Sequence, residues 1–284
     1  IIDSTGAKTQ YQYDSRGNLI QLITSNSQLT TFIYDQFNNM ISVTDPSGAT
    51  TRFTFDNAGN MLAQMDSAGN TTEYAYDSLN RLIKLIDPNG SITQYTYDAK
   101  GNRTSITDSN LNVIQYIYNY KDQLTKVIDP LNGITAYEYG GTGCSSCGGG
   151  GDKLTAIIDA QGNRTAFEYD LLGRLTKEIS SLGKVIAYSY DARGNMITKT
   201  DENGDIINYE YDLLSRLIKK TYADGTIEEY RYDSKGNIIY AGNQWIAYNL
   251  AYDSKGRLIS ITDSNGRIIK YEYDVMGNRT KMIT

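Results

Sequence analysis

The stretch that decides the fold runs Tyr190-Asp-Ala-Arg-Gly194-Asn-Met-Ile-Thr-Lys-Thr-Asp201-Glu-Asn-Gly204-Asp-Ile-Ile-Asn-Tyr209-Glu-Tyr211. It contains two turn signals, Asp191–Gly194 and Asp201–Gly204, each an Asp followed three residues later by Gly. Asp at the first position and Gly at the fourth is the type I turn preference. The segments around these turns are short and alternate β-branched or aromatic residues with polar ones, which is strand grammar. Two turns and two strands make the unit a β-hairpin, with a period of 21 residues from Tyr190 to Tyr211.

The same grammar fills the chain. An aromatic residue followed by Asp recurs at Tyr13, Tyr34, Phe55, Tyr76 and Tyr97, always 21 residues apart. Tyr118 and Tyr139 hold the next two slots. The step to Tyr169 is then 30, and 21-residue steps resume through Tyr190, Tyr211 and Tyr232. A step of 20 leads to Tyr252 and one of 21 to Tyr273. Thirteen units with one insertion and one single-residue deletion predict a single array over 1–284, all-β, with about 26 strands. No stretch has helical periodicity. Where the first turn lacks its Gly, the slot holds Asn38, Asn80, Asp122 or Ser215. Tolerance of Gly, Asn and Asp for positive φ predicts a left-handed slot. Pro46 and Pro88 stand second in their turns, where a fixed φ suits type I geometry.

Parity adds a constraint. Aromatic pairs two apart, such as Tyr74/Tyr76 and Tyr209/Tyr211, share one face of the sheet. Because 21 is odd, identical turns would flip that face at every repeat. One turn per unit is therefore expected to carry an extra residue, as a bulge with Gly in its left-handed slot. A bulge after Tyr-Asp sets Tyr76 opposite Leu82 and Tyr211 opposite Leu217, and leaves a Tyr/Leu/Ile face and a mixed polar face.

Composition narrows the function. Among 284 residues there are 25 Tyr against 5 Phe and 1 Trp, and no His. Without His, Ser-His-Asp and Cys-His catalysis within this chain are excluded, as are His-based zinc sites. The net charge of −6 argues against a nucleic-acid partner held by phosphate neutralisation. No apolar run approaches the roughly 18 residues of a spanning helix, so membrane insertion is not expected. A Tyr face can pack its rings and keep its hydroxyls wet, which points to a wall one sheet thick in place of a packed sandwich. At about 4.8 Å per strand, 26 strands closed once would form a tube roughly 40 Å across. The chain opens at Ile1-Ile2-Asp3 in the phase that Met282-Ile283-Thr284 occupies later, with neither initiator Met nor signal peptide. A fragment of a longer chain is the expectation.

The unit Tyr-Asp-x-x-Gly-Asn/Arg-Leu…Thr-Asp-x-x-Gly-x-x-Thr-x-Tyr-x-Tyr-Asp resembles the YD repeat of Rhs proteins. It stands almost intact in Tyr190–Tyr211 and Tyr252–Tyr273, with Ile207 and Ile269 in the later Thr slot. The resemblance covers the whole chain. Relatives of that kind include Rhs polymorphic toxins, the B and C components of insecticidal toxin complexes, and teneurins. It implies hairpins wound as a strip into a hollow shell, secreted or at the cell surface, around a toxin or effector domain or the rest of the parent chain. The family's terminal self-cleaving core and toxin domain have no counterpart here, so the resemblance assigns no catalytic residue and no cofactor.

The insertion, a Gly- and Cys-rich loop at 140–153, carries the two cysteines, Cys144 and Cys147. A local disulfide between them suits an exported protein. A metal site lacks two further ligands, a redox Cys-x-x-Cys lacks its helix, and two free thiols are the bland alternative. The Asp-x-Asn-Gly turns at Asp87 and Asp263 lack the full calcium-loop pattern, and turn geometry accounts for them. Trp245 falls in the shortened unit, where the expectation is a plug for the irregularity.

Three readings follow. The leading one is a non-enzymatic shell segment that encloses or presents another domain. The second is a surface module whose Tyr stripe binds carbohydrate or protein. The third is a tube or filament subunit that self-associates through open sheet edges.

Overall fold

A computed structural model describes residues 9–24, 26–140 and 152–283. It is all-β, as the period implies. Twenty-six strands, β1 (Gln10–Tyr13) to β26 (Arg279–Ile283) in chain order, form one antiparallel sheet in which each strand pairs with its chain neighbours. No helix occurs among the described residues.

One unit explains the rest. Strands β7 (Thr71–Tyr76), β8 (Leu82–Ile86) and β9 (Ile92–Tyr97) are joined by two turns of the same build. In the first, the Asp77 N–H donates to the Arg81 carbonyl (2.9 Å) and the Asn80 N–H to the Asp77 carbonyl (3.0 Å). In the second, Asp87 and Ser91 pair in the same way (2.9 Å), and the Gly90 N–H donates to the Asp87 carbonyl (2.9 Å). The fourth residue is left-handed in both, with φ of 60° at Asn80 and 82° at Gly90. Asn38, Asp122 and Ser215 also have positive φ, as their slot predicts.

The bulge expectation needs correction in one respect. Tyr76 does oppose Leu82 and Tyr211 does oppose Leu217. Both turns, however, carry the same glycine-type loop, so that loop cannot change the parity. The change comes one residue inside the strand: Tyr76 faces Leu82 while Ala75 faces Lys84, and Ile83 is the unpaired extra residue. The same shift recurs wherever a Tyr strand meets its successor, for example at Ile197 between Tyr190↔Met196 and Ser189↔Thr198.

The wall is thin. Among the described residues only Ala156 and Asp263 are buried, and no large side chain is fully enclosed. Its ends meet: β1 and β26 lie within 8 Å between Cα atoms, so the sheet is a nearly closed barrel. Electrostatics places β1 in phase. Within the array a slot tyrosine senses the Asp twenty residues earlier, as Tyr34 senses Asp14 and Tyr211 senses Asp191. Tyr13, raised chiefly by burial, senses Asp274 and Arg279, the corresponding groups of the last unit.

The two irregular units leave the sheet intact. Strands β13 (Ile134–Gly140) and β14 (Lys153–Ile158) flank the insertion and stay paired out to Gly140↔Lys153. Cys144 and Cys147 lie outside the described residues. The single-residue deletion shortens the turn between β22 (Ile238–Asn243) and β23 (Ala247–Tyr252), where the Asn243 N–H donates directly to the Ile246 carbonyl (2.8 Å). Trp245 sits at that tip and is 71% exposed. It plugs nothing, because the tighter turn absorbs the deletion.

Candidate functional surfaces of the wall

Three surfaces compete for a role: the rim of first turns, the rim of second turns, and the Tyr face between them. The first-turn rim is built from Asp carboxylates. Asp77 Oδ1 accepts the N–H groups of Leu79 (2.9 Å) and Arg81 (3.0 Å), and Oδ2 accepts Arg81 Nε (2.7 Å). Arg81 then leaves its own hairpin. Its Nη1 donates to the Asp98 carbonyl (3.2 Å), and its guanidinium lies 4.7 Å from the centre of the Tyr97 ring. Arg174, Arg216 and Arg257 repeat this bridge over Tyr190, Tyr232 and Tyr273. Asn performs a shorter version: Asn60 Nδ2 donates to Asp56 Oδ2 and to Asn80 Oδ1 of the next unit, both at 2.8 Å. These donors hold the carboxyls below their ordinary range. At Asp212 the main cause is the Arg216 backbone N–H, followed by its side chain.

Tyr hydroxyls supply a second inter-hairpin link. Eleven slot tyrosines, from Tyr34 to Tyr273, donate at 2.7–3.1 Å to a carbonyl at the start of the preceding hairpin's second strand, its first residue in ten cases and its second, Leu154, for Tyr169. Phe cannot do this, which explains the ratio of Tyr to Phe more fully than hydration alone. On the opposite face, half-exposed pairs such as Lys219–Glu210 (3.0 Å) and Lys177–Glu168 (2.9 Å) decorate the sheet. Exposed pairs of that kind contribute about 0–1 kcal/mol each.

The Tyr face holds one polar island. Its middle row runs Leu22, Val43, Gln64, Leu85, Ile106, Val127, Ile157, then changes to Glu178, Lys199 and Lys220 before returning to Ala241. Glu228 pairs with Lys220 across the next ladder. Tyr222, which stands where most second turns have Asp, reaches into this group. Lys220 Nζ donates to its hydroxyl (2.8 Å), and the hydroxyls of Tyr222 and Tyr230 donate to the two Glu228 oxygens (2.8 Å each). Those hydroxyls lower the Glu228 carboxyl, Tyr222 most, and the Tyr222 contact raises the Lys220 ammonium. Three strands from Lys220, Tyr188 donates to Glu178 Oε1 (2.7 Å), and burial together with that bond pushes its phenol up to about 12. Beside the island lies an open cavity of about 550 Å³ lined by Lys199, Asp201, Asp205, Ile207, Tyr222 and Asp224.

Strand alternation and the wall-like Tyr face were legible in the sequence; the island was not singled out there. Reading the Tyr–Leu register row by row would have found it. Among the described residues no group of acidic or thiol side chains is arranged to hold a metal. Among those residues no helix is long and apolar enough to cross a membrane.

A hairpin-repeat wall of this build defines the class, and sequence comparison agrees. The chain belongs to the teneurin YD-shell family, whose model matches residues 61–209; the RHS repeat matches 13–50, 34–72 and 252–284. No curated protein sequence matches. Among solved structures, the TcdB2-TccC3-Cdc42 crystal structure aligns with 98% of this chain and 19% of that one, at 18% identity and a TM-score of 0.46. The Photorhabdus luminescens Tc holotoxin pore aligns with 98% and 18%, at 18% identity and 0.46. The TcdB2-TccC3-TEV structure aligns with 97% and 20%, at 15% identity and 0.47. The chain spans about a fifth of the length of these proteins.

Proposed function

We propose that this chain is a structural shell segment of an exported bacterial Rhs-like protein, one array over 1–284 that encloses or presents another domain and performs no chemistry itself. The observation that carries this reading is the wall: 26 strands in one sheet, a single layer thick, curving until β1 meets β26. Such a wall gains nothing as a packed core and makes sense as an enclosure. The partner is then a toxin or effector domain, or the remainder of the parent polypeptide, outside the cell. A protease challenge of the parent protein tests it. Segments joined to the array should resist cleavage while the wall is folded and be cut rapidly once released. Equal cleavage rates in both states refute enclosure.

A second reading, a binding module, rests on the cavity beside Lys199, where Tyr222 offers a ring and Asp205 and Asp224 offer acceptors for hydroxyl groups. Neutral oligosaccharides titrated into the soluble chain should then perturb tyrosine fluorescence, and Tyr222→Ala should abolish the change. No response to a panel of glycans removes this reading.

A further inference from the structure

The residue opposite the slot aromatic breaks its rule in two hairpins. It is Leu, Met or Ile in eleven units, Leu82 and Leu217 among them, but Arg103 opposite Tyr97 and Arg279 opposite Tyr273. Each exchange gives up an aromatic–aliphatic pair. No ion pair takes its place. Arg81, Arg174, Arg216 and Arg257 also lie over tyrosine rings, but each is bound to the Asp of its own turn at 2.6–2.7 Å. Among the described residues Arg103 and Arg279 have no carboxylate within 4 Å and no side-chain hydrogen bond.

Arg103 is the better defined of the two. It opens β10 (Arg103–Thr107), which is flanked by β9 and β11 (Val113–Tyr118). Its guanidinium lies 5.2 Å from the centre of the Tyr116 ring on one neighbour and 6.0 Å from that of Tyr95 on the other. Both rings are half-buried, and the guanidinium is exposed. Unlike the slot tyrosines, Tyr95 and Tyr116 have hydroxyls without a hydrogen-bond partner among the described residues. Two rings therefore fix a planar fork of N–H donors, and two phenols add donors on the same face. What such a set accepts is an oxyanion, and a carboxylate matches the fork. Arg279 lies 5.7 Å from the Tyr271 ring, and Tyr13 senses it from across the seam on β1. The acids of this face are already engaged: Glu178 by Tyr188, Glu228 by Tyr222 and Tyr230, and Asp263 by Arg267. Its unmatched charge is positive, on a chain whose net charge is −6.

We propose that Arg103, held between Tyr95 and Tyr116, binds a carboxylate side chain of an acidic polypeptide lying on the Tyr face, with Arg279 as a second point of the same kind. The rings immobilise the guanidinium before the partner arrives, so little conformational freedom is lost when the carboxylate docks. The proposal rests on the shell reading only in taking the partner to be a polypeptide. Its failure would leave the protease test of enclosure standing, and its success does not require the parent chain.

Fluorescence anisotropy of a dye-labelled hexaglutamate peptide, titrated with the purified chain at low salt, tests the proposal. The wild type should bind it saturably, and a hexalysine peptide should not bind. R103L should weaken binding about tenfold, and R103L/R279L should abolish it. Both variants should keep the wild-type circular dichroism spectrum, because Leu is native to this position in other hairpins. Y116F, which keeps the ring and removes the phenol donor, should weaken binding about threefold. Binding to R103L/R279L as tight as to the wild type overturns the proposal, as does equal binding of hexalysine or no binding of hexaglutamate. Inorganic phosphate that displaces the peptide where sodium chloride of the same ionic strength does not would assign the fork to a phosphate and overturn the choice of a peptide carboxylate.

Discussion

Gly236 is the position at which the turn argument can be measured most cleanly. It has φ of +93°, and a Cβ built there meets nothing within 4 Å. A substitution at this site therefore changes backbone energy alone. An L-residue in the left-handed region costs about 1–2 kcal/mol relative to glycine, and a β-branched one stands at the upper end because its second γ-substituent crowds the carbonyl. Asn is the exception: Asn38 and Asn80 occupy the same slot at 68° and 60°. We expect Gly236→Asn to be close to neutral, Gly236→Ala to cost about 1 kcal/mol, and Gly236→Val about 2 kcal/mol. For a chain of this size each kcal/mol lowers the melting temperature by about 2–4 °C. Thermal melts followed by circular dichroism, with urea titrations as a check, give the order directly. Val tolerated as well as Asn would falsify the left-handed assignment and the hairpin loops built on it.

Other expectations follow from the inter-hairpin links and the turn carboxylates. Tyr97→Phe removes the 2.7 Å bond to the Leu82 carbonyl and should destabilise the array by about 1 kcal/mol in urea titration; no loss would show that the hydroxyl ladder is ornamental. The first-turn carboxyls, Asp56 and Asp212 among them, are held below their ordinary value of 3.8 in the folded state. Folding thus favours their charged form. Their contribution is present in full above about pH 4 and is lost as pH falls through the depressed folded values. Melting temperature should be flat near neutrality and fall steeply below pH 4, and a flat profile to pH 2 contradicts this. The Cys144–Cys147 pairing is an expectation for mass spectrometry under non-reducing conditions. Because β13 and β14 stay paired out to Gly140↔Lys153, reduction should leave the melting temperature unchanged.

Much of this was legible in the sequence because the repeat grammar is local. A hairpin is specified by its own turn residues and alternation, so Asp77, Asn80 and the Tyr76–Leu82 pair follow from one unit read alone. Features that depend on a neighbouring unit were not legible. The parity-changing bulge falls on residues such as Ile83 or Ile197, ordinary strand formers without a turn signature, so its site is a property of the ladder. The hydroxyl of Tyr97 finds a carbonyl fifteen residues back, a partner that depends on how hairpins lean on one another. Lys199 and Lys220 look like ordinary polar strand positions until that bulge turns them to the Tyr face. Trp245 was misjudged because an aromatic residue in a short unit suggests packing, whereas a two-residue tip points it outward.

Those links between neighbours also explain how a wall this thin holds together and why it is tolerant. With almost nothing buried, stability resides in repeated interfaces: the Tyr hydroxyl over the previous strand, the Arg or Asn bridge along the rim, and the aromatic–aliphatic pairs, each roughly 0.2–1 kcal/mol. An array whose units touch only their neighbours behaves as a one-dimensional chain of such terms. A defect is then confined to the hairpin that carries it. This is visible twice: the insertion opens one turn between β13 and β14, and the deletion tightens one turn between β22 and β23, and in both places the next Tyr returns to its carbonyl, Tyr169 to Leu154 at 2.8 Å and Tyr252 to Ile238 at 3.0 Å. A globular core would transmit either change through its packing. A wall of nearest-neighbour contacts does not, so turns are where it can acquire new chemistry without losing its shape.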